Sequence, residues 1–241
     1  MKSQRKTSRA AEPPWLEKTR RAPKNHLSRE AIVKAALRIV DKEGLDALSM
    51  RRLAEGLRTG PASLYWHVHN REELLHLMID AVAGEISLPE PDPMRWQEQL
   101  KEGAREMRRV FLRHGDLARA TMGRIPMGPN IMRLNEQLLA LLRRAGLPDR
   151  VVALVTDLLS LYVGAHAMEQ AGGGIASPTG EPQSEEAILE MYKQYFKALP
   201  ADQFPNTLAL ADALFEGDED ARFEFGLDVL VSGLGAVAKK A

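Results

Sequence analysis

The stretch from Ser49 to Asn70 reads SMRRLAEGLRTGPASLYWHVHN, and its pattern decides the fold of the chain. Ser49 is placed to cap a short helix. Gly60-Pro61 is placed to begin a second one, since proline at a first helical position needs no N–H partner. Small residues open the second helix, and basic residues flank the pair. This layout is typical of a helix-turn-helix, whose second helix can enter the major groove of DNA.

Helices are predicted on both sides of this stretch. Ser28 is placed to cap the first, and Asn70 with Glu73 forms a capping pair for the last, over about 71–86. The first has an apolar face at helical spacing, made of Ile32, Ala35, Ala36, Ile39 and Val40. Closely spaced prolines then interrupt the chain. We therefore predict a helix-turn-helix DNA-binding domain over 27–88.

The segment before this domain is strongly basic. Residues 1–27 carry eight Lys or Arg and two Glu, although the formal net charge of the whole chain is zero. Residues 1–26 also lack apolar periodicity, which favours a flexible arm. A basic arm on an acidic body indicates a polyanionic partner that is contacted at one end. Two hypotheses remain: the arm is a solvated tail, or Arg20 and Arg21 enter a DNA minor groove.

Beyond residue 88 every long segment has helical periodicity, and no run alternates with period two for long enough to form a strand. We therefore predict an all-α protein with a larger helical domain over 89–241 and a flexible glycine-rich loop over 172–183. The helices of this domain are expected at about 93–113, 117–124, 130–145, 149–171, 184–198, 207–215 and 219–238.

Two of these helices, 149–171 and 219–238, are apolar around more than one face. Such a helix has to be covered on several sides. One interpretation is that both are core helices of a monomer. The other is that they form a homodimer interface built as a four-helix bundle.

Composition excludes several classes of protein. The chain has no cysteine, which removes disulfides, thiolate nucleophiles and cysteine-based metal sites. We find no apolar run of the roughly 18 residues that a membrane span needs, nor a secretory signal, so we expect no membrane partner and a cytoplasmic location. Motifs of zinc proteases, hydrolases and nucleotide-binding loops are absent as well, and we expect no enzyme.

With its elements placed, the chain resembles the TetR (tetracycline-repressor-like) family of transcriptional regulators. In the first domain the resemblance rests on Leu53-Ala54, Ser63–Val68 and Asn70-Arg71. In the second it extends to the tetracycline repressor branch, through Trp96-Gln97, Leu134–Leu138, Phe223–Leu227 and Gly233-Leu234. It implies an all-helical homodimer with one DNA-reading domain per subunit and a ligand cavity between residues 93 and 171.

Candidate DNA contacts follow from the motif and the resemblance. Small side chains at the start of the second helix let the backbone approach base edges, at Gly60, Pro61, Ala62 and Ser63. The resemblance implies phosphate contacts at Ser49, Arg51, Tyr65, Trp66, His67 and Arg71. For Tyr65 and Trp66 the alternative is packing within the domain. A metal pair of His67 with His69 is disfavoured, because no third ligand is near in sequence.

Arg58 departs from the family pattern, which places glycine between the two helices. Glycine suits a left-handed backbone position, where arginine costs on the order of 1 kcal/mol. Either the turn differs in this chain, or the strain is accepted because Arg58 gains a DNA contact.

The resemblance also directs attention to a ligand cavity. Pro126 and Gln137 match pocket positions of the tetracycline branch, while Thr121 stands where that branch has a magnesium-binding histidine. We therefore predict no metal and no cofactor, and an apolar or aromatic inducer with a few polar groups. Further candidate ligand contacts are Met107, Phe111, Arg124, Tyr162, His166 and Glu169.

Taken together, the sequence predicts a repressor that binds a palindromic operator in double-stranded DNA and is released by a small-molecule inducer. A ligand-responsive activator or a ligand-independent repressor would use the same DNA-binding residues. A non-specific DNA-binding protein would not distinguish an operator from random DNA.

Overall fold

A computed structural model describes residues 27–121, 124–171, 178 and 183–238. Within these residues every regular element is helical, which confirms the all-α prediction. The α-helices are α1 (Arg29–Glu43), α2 (Met50–Gly56), α3 (Pro61–Tyr65), α4 (Arg71–Ala83), α5 (Trp96–Arg113), α6 (Asp116–Thr121), α7 (Pro129–Arg144), α8 (Asp149–Ala171), α9 (Glu185–Lys197), α10 (Pro205–Ala209) and α11 (Glu219–Ala238). The predicted arm, with Arg20 and Arg21, and most of the predicted loop over 172–183 lie outside the described residues.

The helices of the first domain begin where local chemistry places them. Ser28 Oγ accepts a hydrogen bond from the Ala31 N–H at 3.1 Å, and Asn70 Oδ1 accepts one from the Glu73 N–H at 2.8 Å. Each satisfies one of the backbone donors that a helix start leaves free. α1 to α4 then form one core, which Val110 of α5 and Leu117 and Ala120 of α6 extend. Its fully buried members in the first domain include Ile32, Ala36, Leu53, Leu64, Val68, Leu74 and Met78.

Two predicted helices differ from the observed ones. α4 ends at Ala83, three residues before the predicted end. The helix predicted over 207–215 is split into α10 and a 3₁₀ turn at Ala213–Phe215. This segment buries only Ala211, so it has no continuous apolar face to sustain a longer helix.

The second domain is built around α5, α7, α8 and α11. Its core contains Trp96, Leu100, Leu142, Val163, Phe223 and Leu227. Along the outside, α5 and α11 are joined by a row of ion pairs: Lys101 with Asp228, Arg105 with Glu224, and Arg108 with Asp220. α11 is thereby held along α5 by both apolar and charged contacts.

α8 has 23 residues and a mean hydropathy of 1.6 over its most apolar stretch, so by length and composition alone it could span a membrane. This differs from the sequence-based expectation that no such segment exists. α8 packs against α5, α6 and α7 and contributes Val152, Val155, Leu159 and Val163 to the core. Its apolar character is accounted for in part by this central position.

The outer faces of α8 and α11 remain apolar and uncovered in the single chain. Leu154 and Leu158 on α8 are 56% and 43% exposed, and Phe225 and Val229 on α11 are 73% and 55% exposed. The interpretation of α8 and α11 as core helices of a monomer leaves these side chains in water. The dimer interpretation gives them a partner.

Candidate nucleic-acid interface and ligand chamber

The start of α3 is presented to solvent, while its inner face anchors it. Pro61 and Ala62 are exposed and Ser63 is half-buried, whereas Leu64 and Val68 are fully buried. Pro61 occupies the first turn, as predicted. Small residues therefore lie on the outer surface of a helix whose position is fixed by the core behind it, as contact with base edges requires.

The three ring-bearing residues at the end of the motif, Tyr65, Trp66 and His67, differ in their exposure to solvent. Tyr65 and Trp66 are 47% and 46% exposed, so neither is a core residue of this domain. His67 is only 8% exposed, which corrects the expectation that its side chain faces a phosphate. Arg29 Nε donates to the His67 carbonyl at 2.8 Å, which ties the end of α3 to α1.

Of the other predicted phosphate contacts, Ser49 and Arg51 lie on the surface, but Arg71 does not reach outward. The Ser49 hydroxyl accepts from the Arg52 N–H at 3.1 Å as the cap of α2. Arg51 is 87% exposed at its side chain. Arg71 instead donates to the carbonyls of Leu45 and Leu48, at 3.2 Å each. Its guanidinium joins the start of α4 to the turn before α2, where the Leu45 carbonyl also accepts from the Leu48 N–H, and this corrects its expected role.

The structural role of Arg29 was not predicted from the sequence. Besides the His67 carbonyl, its guanidinium meets the Glu73 carboxylate at 3.2 Å, so it joins α1, the end of α3 and the start of α4. An arginine directly after a helix cap reads as an ordinary surface residue, and only the fold brings its partners together.

Arg58 has a φ of 53°, in the left-handed region, and is exposed. The turn that glycine usually makes is therefore retained, with its strain, rather than replaced by a different turn.

Arg58→Gly is expected to raise the free energy of unfolding by up to about 1 kcal/mol while weakening DNA binding, because the cation is removed. Urea unfolding and DNA titration of the variant measure both. Arg58→Asn, which tolerates this backbone conformation, separates the charge from the strain; equal DNA affinity in all three proteins would remove Arg58 from the interface.

A chamber lies between α4, α5, α7 and α8, and it has two adjoining lobes. With the adjoining space that is open to solvent included, the lobes measure about 640 and 910 Å³. Both are lined by Ile86, Met107, Leu134, Asn135 and Ser160. Of the predicted ligand contacts, Met107 and Gln137 line the smaller lobe. The larger lobe is lined by Met107, Phe111, Thr121, Arg124 and Pro126.

Tyr162, His166 and Glu169 were expected at this chamber, but they face α11 instead. Tyr162 Oη donates to the Phe223 carbonyl at 2.7 Å, and the His166 ring lies edge-on to Tyr162, 4.7 Å between centroids. Glu169 pairs with Arg222 at 3.3 Å. Periodicity shows that a helix has several faces but not which neighbour each face meets, and this is why the three were misplaced.

Burial shifts the pKa values of two of these side chains. It lowers the pKa of His166, with Arg222 adding to the effect. Burial also raises the pKa of Tyr162, followed in size by the Glu224 charge. Both directions favour the neutral forms that suit an aromatic cluster packed on Phe223.

Most polar groups at the chamber already have partners in the protein. Thr121 Oγ1 donates to the Ala118 carbonyl at 2.7 Å. Arg124 donates to both carboxylate oxygens of Glu72, at 2.9 and 3.1 Å. Within the described residues no group of three or more His, Asp or Glu side chains is placed to hold a metal. The lining is therefore mainly apolar, with Asn135, Gln137, Asp157 and Ser160 at its polar points.

Four of the lining residues come from the first domain and were not anticipated, and one of them, Leu88, lines the smaller lobe. Ile79 and Ala83 of α4, and Ile86 just after it, form a wall of the larger lobe. The apolar spacing of α4 indicates a buried face, but it does not show that a second domain packs on it. One helix therefore borders both the helix-turn-helix and the chamber.

α6 makes further polar contacts across the two domains. Asp116 Oδ2 accepts from the Leu45 N–H at 2.6 Å, and Arg119 pairs with Asp46 at 3.0 Å. His114, in the turn before α6, lies within 3.1 Å of both Asp41 and Glu85. The chamber's walls and the helix-turn-helix are thus mechanically connected at several points.

Comparison with known proteins covers both domains. Residues 32–78 match the model "Bacterial regulatory proteins, tetR family", and residues 88–238 match "Tetracyclin repressor-like, C-terminal domain". An HTH-type transcriptional regulator of Saccharopolyspora erythraea is 33% identical over 212 residues, 88% of this chain and 86% of that protein. The class C tetracycline repressor of Escherichia coli is 32% identical over 87% of this chain and 91% of its own length.

Solved structures add a ligand-bound comparison. Apo ActR of Streptomyces coelicolor is 46% identical, with a TM-score of 0.82, and the match covers 90% of this chain and 99% of that one. ActR in complex with actinorhodin is 49% identical, with a TM-score of 0.80 and coverages of 88% and 96%. ActR has also been solved with (S)-DNPA.

Proposed function

The chain belongs to the TetR family of bacterial transcriptional regulators, and on this premise we propose that it is a repressor released from DNA by a small molecule. The observation that carries the proposal is the double role of α4, which packs in the helix-turn-helix core and also forms a wall of the chamber. A ligand that fits the chamber better in one tilt of α4 shifts the population toward that tilt.

DNA binding is assigned to the exposed start of α3 and its surroundings. Ala62 and Ser63 approach base edges, and Tyr65 and Trp66 contact the phosphate backbone on either side. Ser49 and Arg51 add phosphate contacts from α2. The burial of Leu64 and Val68 supports this assignment, since a recognition helix needs a rigid base.

A homodimer brings two such helices to one duplex. The uncovered apolar faces of α8 and α11 supply the interface, as in a four-helix bundle. A twofold dimer reads two half-sites with their centres about 34–36 Å apart, or a multiple of that, so the operator is palindromic.

The inducer is an apolar or aromatic molecule with a few polar groups. The chamber's mainly apolar lining supports this, and ActR, at 49% identity, is known in complex with actinorhodin. Thr121 does not suit a magnesium chelate, because its hydroxyl is a weak metal ligand and already donates to a carbonyl. Actinorhodin is therefore the first compound to test.

The basic arm contributes to DNA affinity through Arg20 and Arg21. Deleting residues 1–24 is expected to weaken binding and to flatten the slope of log K against log salt by about 0.9 for each phosphate that the arm had neutralised. DNA titrations at four or more salt concentrations measure the slope. A truncated protein with the full-length slope would assign the arm to solvent.

Selection from a random duplex library, followed by a gel shift with added actinorhodin, tests the function as a whole. We expect one palindromic sequence, bound at least about 1,000-fold more tightly than random DNA, and its release on adding the compound. Binding of all duplexes alike would contradict the proposal. Tight, specific binding that no compound reverses would instead favour a ligand-independent repressor.

A further inference from the structure

α7 begins at a residue that has no side chain to cap it. Its N-cap is Gly128, followed by Pro129 at the first helical position. The amides of Asn130 and Ile131 are therefore among the donors that the start of the helix leaves without partners within it. In most helices a Ser, Thr, Asp or Asn at the cap position accepts from such amides.

Asp80 of α4 supplies the missing cap from outside the helix. Its Oδ1 accepts from the Asn130 and Ile131 N–H groups, each at 3.0 Å, and Oδ2 accepts from Asn130 Nδ2 at 3.1 Å. The Asp80 carbonyl accepts from the same amide nitrogen at 3.1 Å. A carboxylate is also favoured at this end of a helix by the helix dipole.

The approach of the two helices requires the glycine. A Cβ atom at position 128 would overlap the Asp80 side chain, whose residue is only 8% exposed. Gly128 is not needed here for an unusual φ, since its φ of 167° is open to any residue. Its absent side chain is what lets the carboxylate reach the helix start.

This contact lies at the chamber wall. Ile79 and Ala83, on either side of Asp80 in α4, line the larger lobe. On the other side of the contact, Ile131, Leu134 and Asn135 of α7 line the same lobe. A ligand that fills the lobe therefore touches both partners of the contact.

We propose that Asp80 is the positioning residue that makes α4 and the first turn of α7 move as one body, so that a ligand pressing on α7 tilts the DNA-binding domain. This inference rests on the proposed function and identifies one route of its regulation. If α4 moved alone, the partly buried Asn130 and Ile131 amides would be left without their acceptor, so the two-helix motion is favoured. The contacts of α6 with α1 and the turn after it form a separate connection.

The test uses full-length wild type and Asp80→Ala, with the selected operator duplex and actinorhodin as the probe. Hydrogen exchange of the α7 first turn is measured with and without DNA, and the operator Kd with and without actinorhodin. Because coupling is reciprocal, DNA binding in wild type is expected to change exchange in that turn. In Asp80→Ala this change is expected to disappear, and the ratio of the two Kd values is expected to fall by about 2- to 30-fold.

Two further variants keep the result interpretable. Asp80→Asn retains the shape of the side chain but sets an N–H₂ group against the Asn130 N–H₂ group, and we expect an intermediate coupling. Ser184→Ala removes the cap of α9, whose Oγ accepts from the Ala187 N–H, and serves as the matched removal of a cap away from the chamber. Its coupling should equal that of wild type.

The outcomes separate the two proposals. Asp80 variants that fold and respond to DNA and actinorhodin as wild type does would overturn the role of Asp80 and leave the proposed function standing. A wild type that selects no duplex would overturn the proposed function and the inference with it. If wild type binds DNA but not actinorhodin, the exchange measurement still decides, since it needs only DNA.

Discussion

Leu154→Asp is expected to leave the protein monomeric and to weaken operator binding by at least about 100-fold. Leu154 is exposed on the outer face of α8, where we place the partner subunit. A carboxylate in that interface would be buried without a counter-charge, which strongly disfavours association. A monomer then reads one half-site and cannot gain from engaging both half-sites at once. Sedimentation velocity measures the mass, and anisotropy of a labelled operator measures the affinity.

Leu214→Asp is the matched control for this variant. Leu214 is also 56% exposed, the same fraction as Leu154, but it lies in the 3₁₀ turn at Ala213–Phe215, outside α8 and α11. We expect it to remain dimeric and to bind the operator like wild type. Identical masses for Leu154→Asp and wild type would place the interface elsewhere.

Ala62→Asp is expected to abolish specific DNA binding, by about 100-fold or more, without unfolding the protein. Ala62 is exposed in the first turn of α3, where the helix dipole favours an acidic side chain, so the fold tolerates the change. Against DNA the carboxylate meets phosphates and base-edge acceptors. A penalty of about 1.4 kcal/mol in each of two subunits already amounts to 100-fold. Circular dichroism melting checks the fold, and titration with the operator measures the change in affinity.

The control for this charge is Ala187→Asp. Ala187 is likewise exposed in the first turn of a helix, α9, outside the helix-turn-helix. It changes the net charge by the same amount, so any general electrostatic effect appears in both variants. A loss of DNA binding that is equal in the two would show that the start of α3 is not a specific contact.

Features that depend on neighbouring residues could be predicted from the sequence. Ser28, Ser49 and Asn70 cap helices because their side chains reach amides three residues ahead. Pro61 begins α3 for an equally local reason, whereas the left-handed φ of Arg58 was one of two alternatives that the sequence left open. The bounds of α8 and α11 agreed with the predicted ones because long apolar periodicity is a strong signal.

Features that depend on distant residues could not be predicted in the same way. The Asp80 cap joins residues 50 positions apart, and the sequence around it reads only as part of an amphipathic helix. His67 and Arg71 were given outward roles because their internal partners lie on α1 and on the turn after it. Tyr162, His166 and Glu169 were assigned to the chamber because the sequence does not say which face of α8 meets α11.

The chamber itself was predicted in part. Met107, Phe111, Thr121, Arg124, Pro126 and Gln137 line it, and their contact with a ligand stays a prediction. The wall supplied by α4 was not foreseen, because the apolar spacing of a helix does not show which neighbours its faces meet. It is this shared helix that gives the chamber a physical route to the DNA-binding surface.

The mass of the protein–DNA complex and the sequence of the bound duplex test the central claim most directly. Duplex selected from a random library is bound to the full-length protein, and the complex is examined by sedimentation with and without actinorhodin. We expect two subunits on one twofold-symmetric duplex, and free dimer plus free DNA once the compound is added. A single subunit on DNA of no preferred sequence would contradict the account.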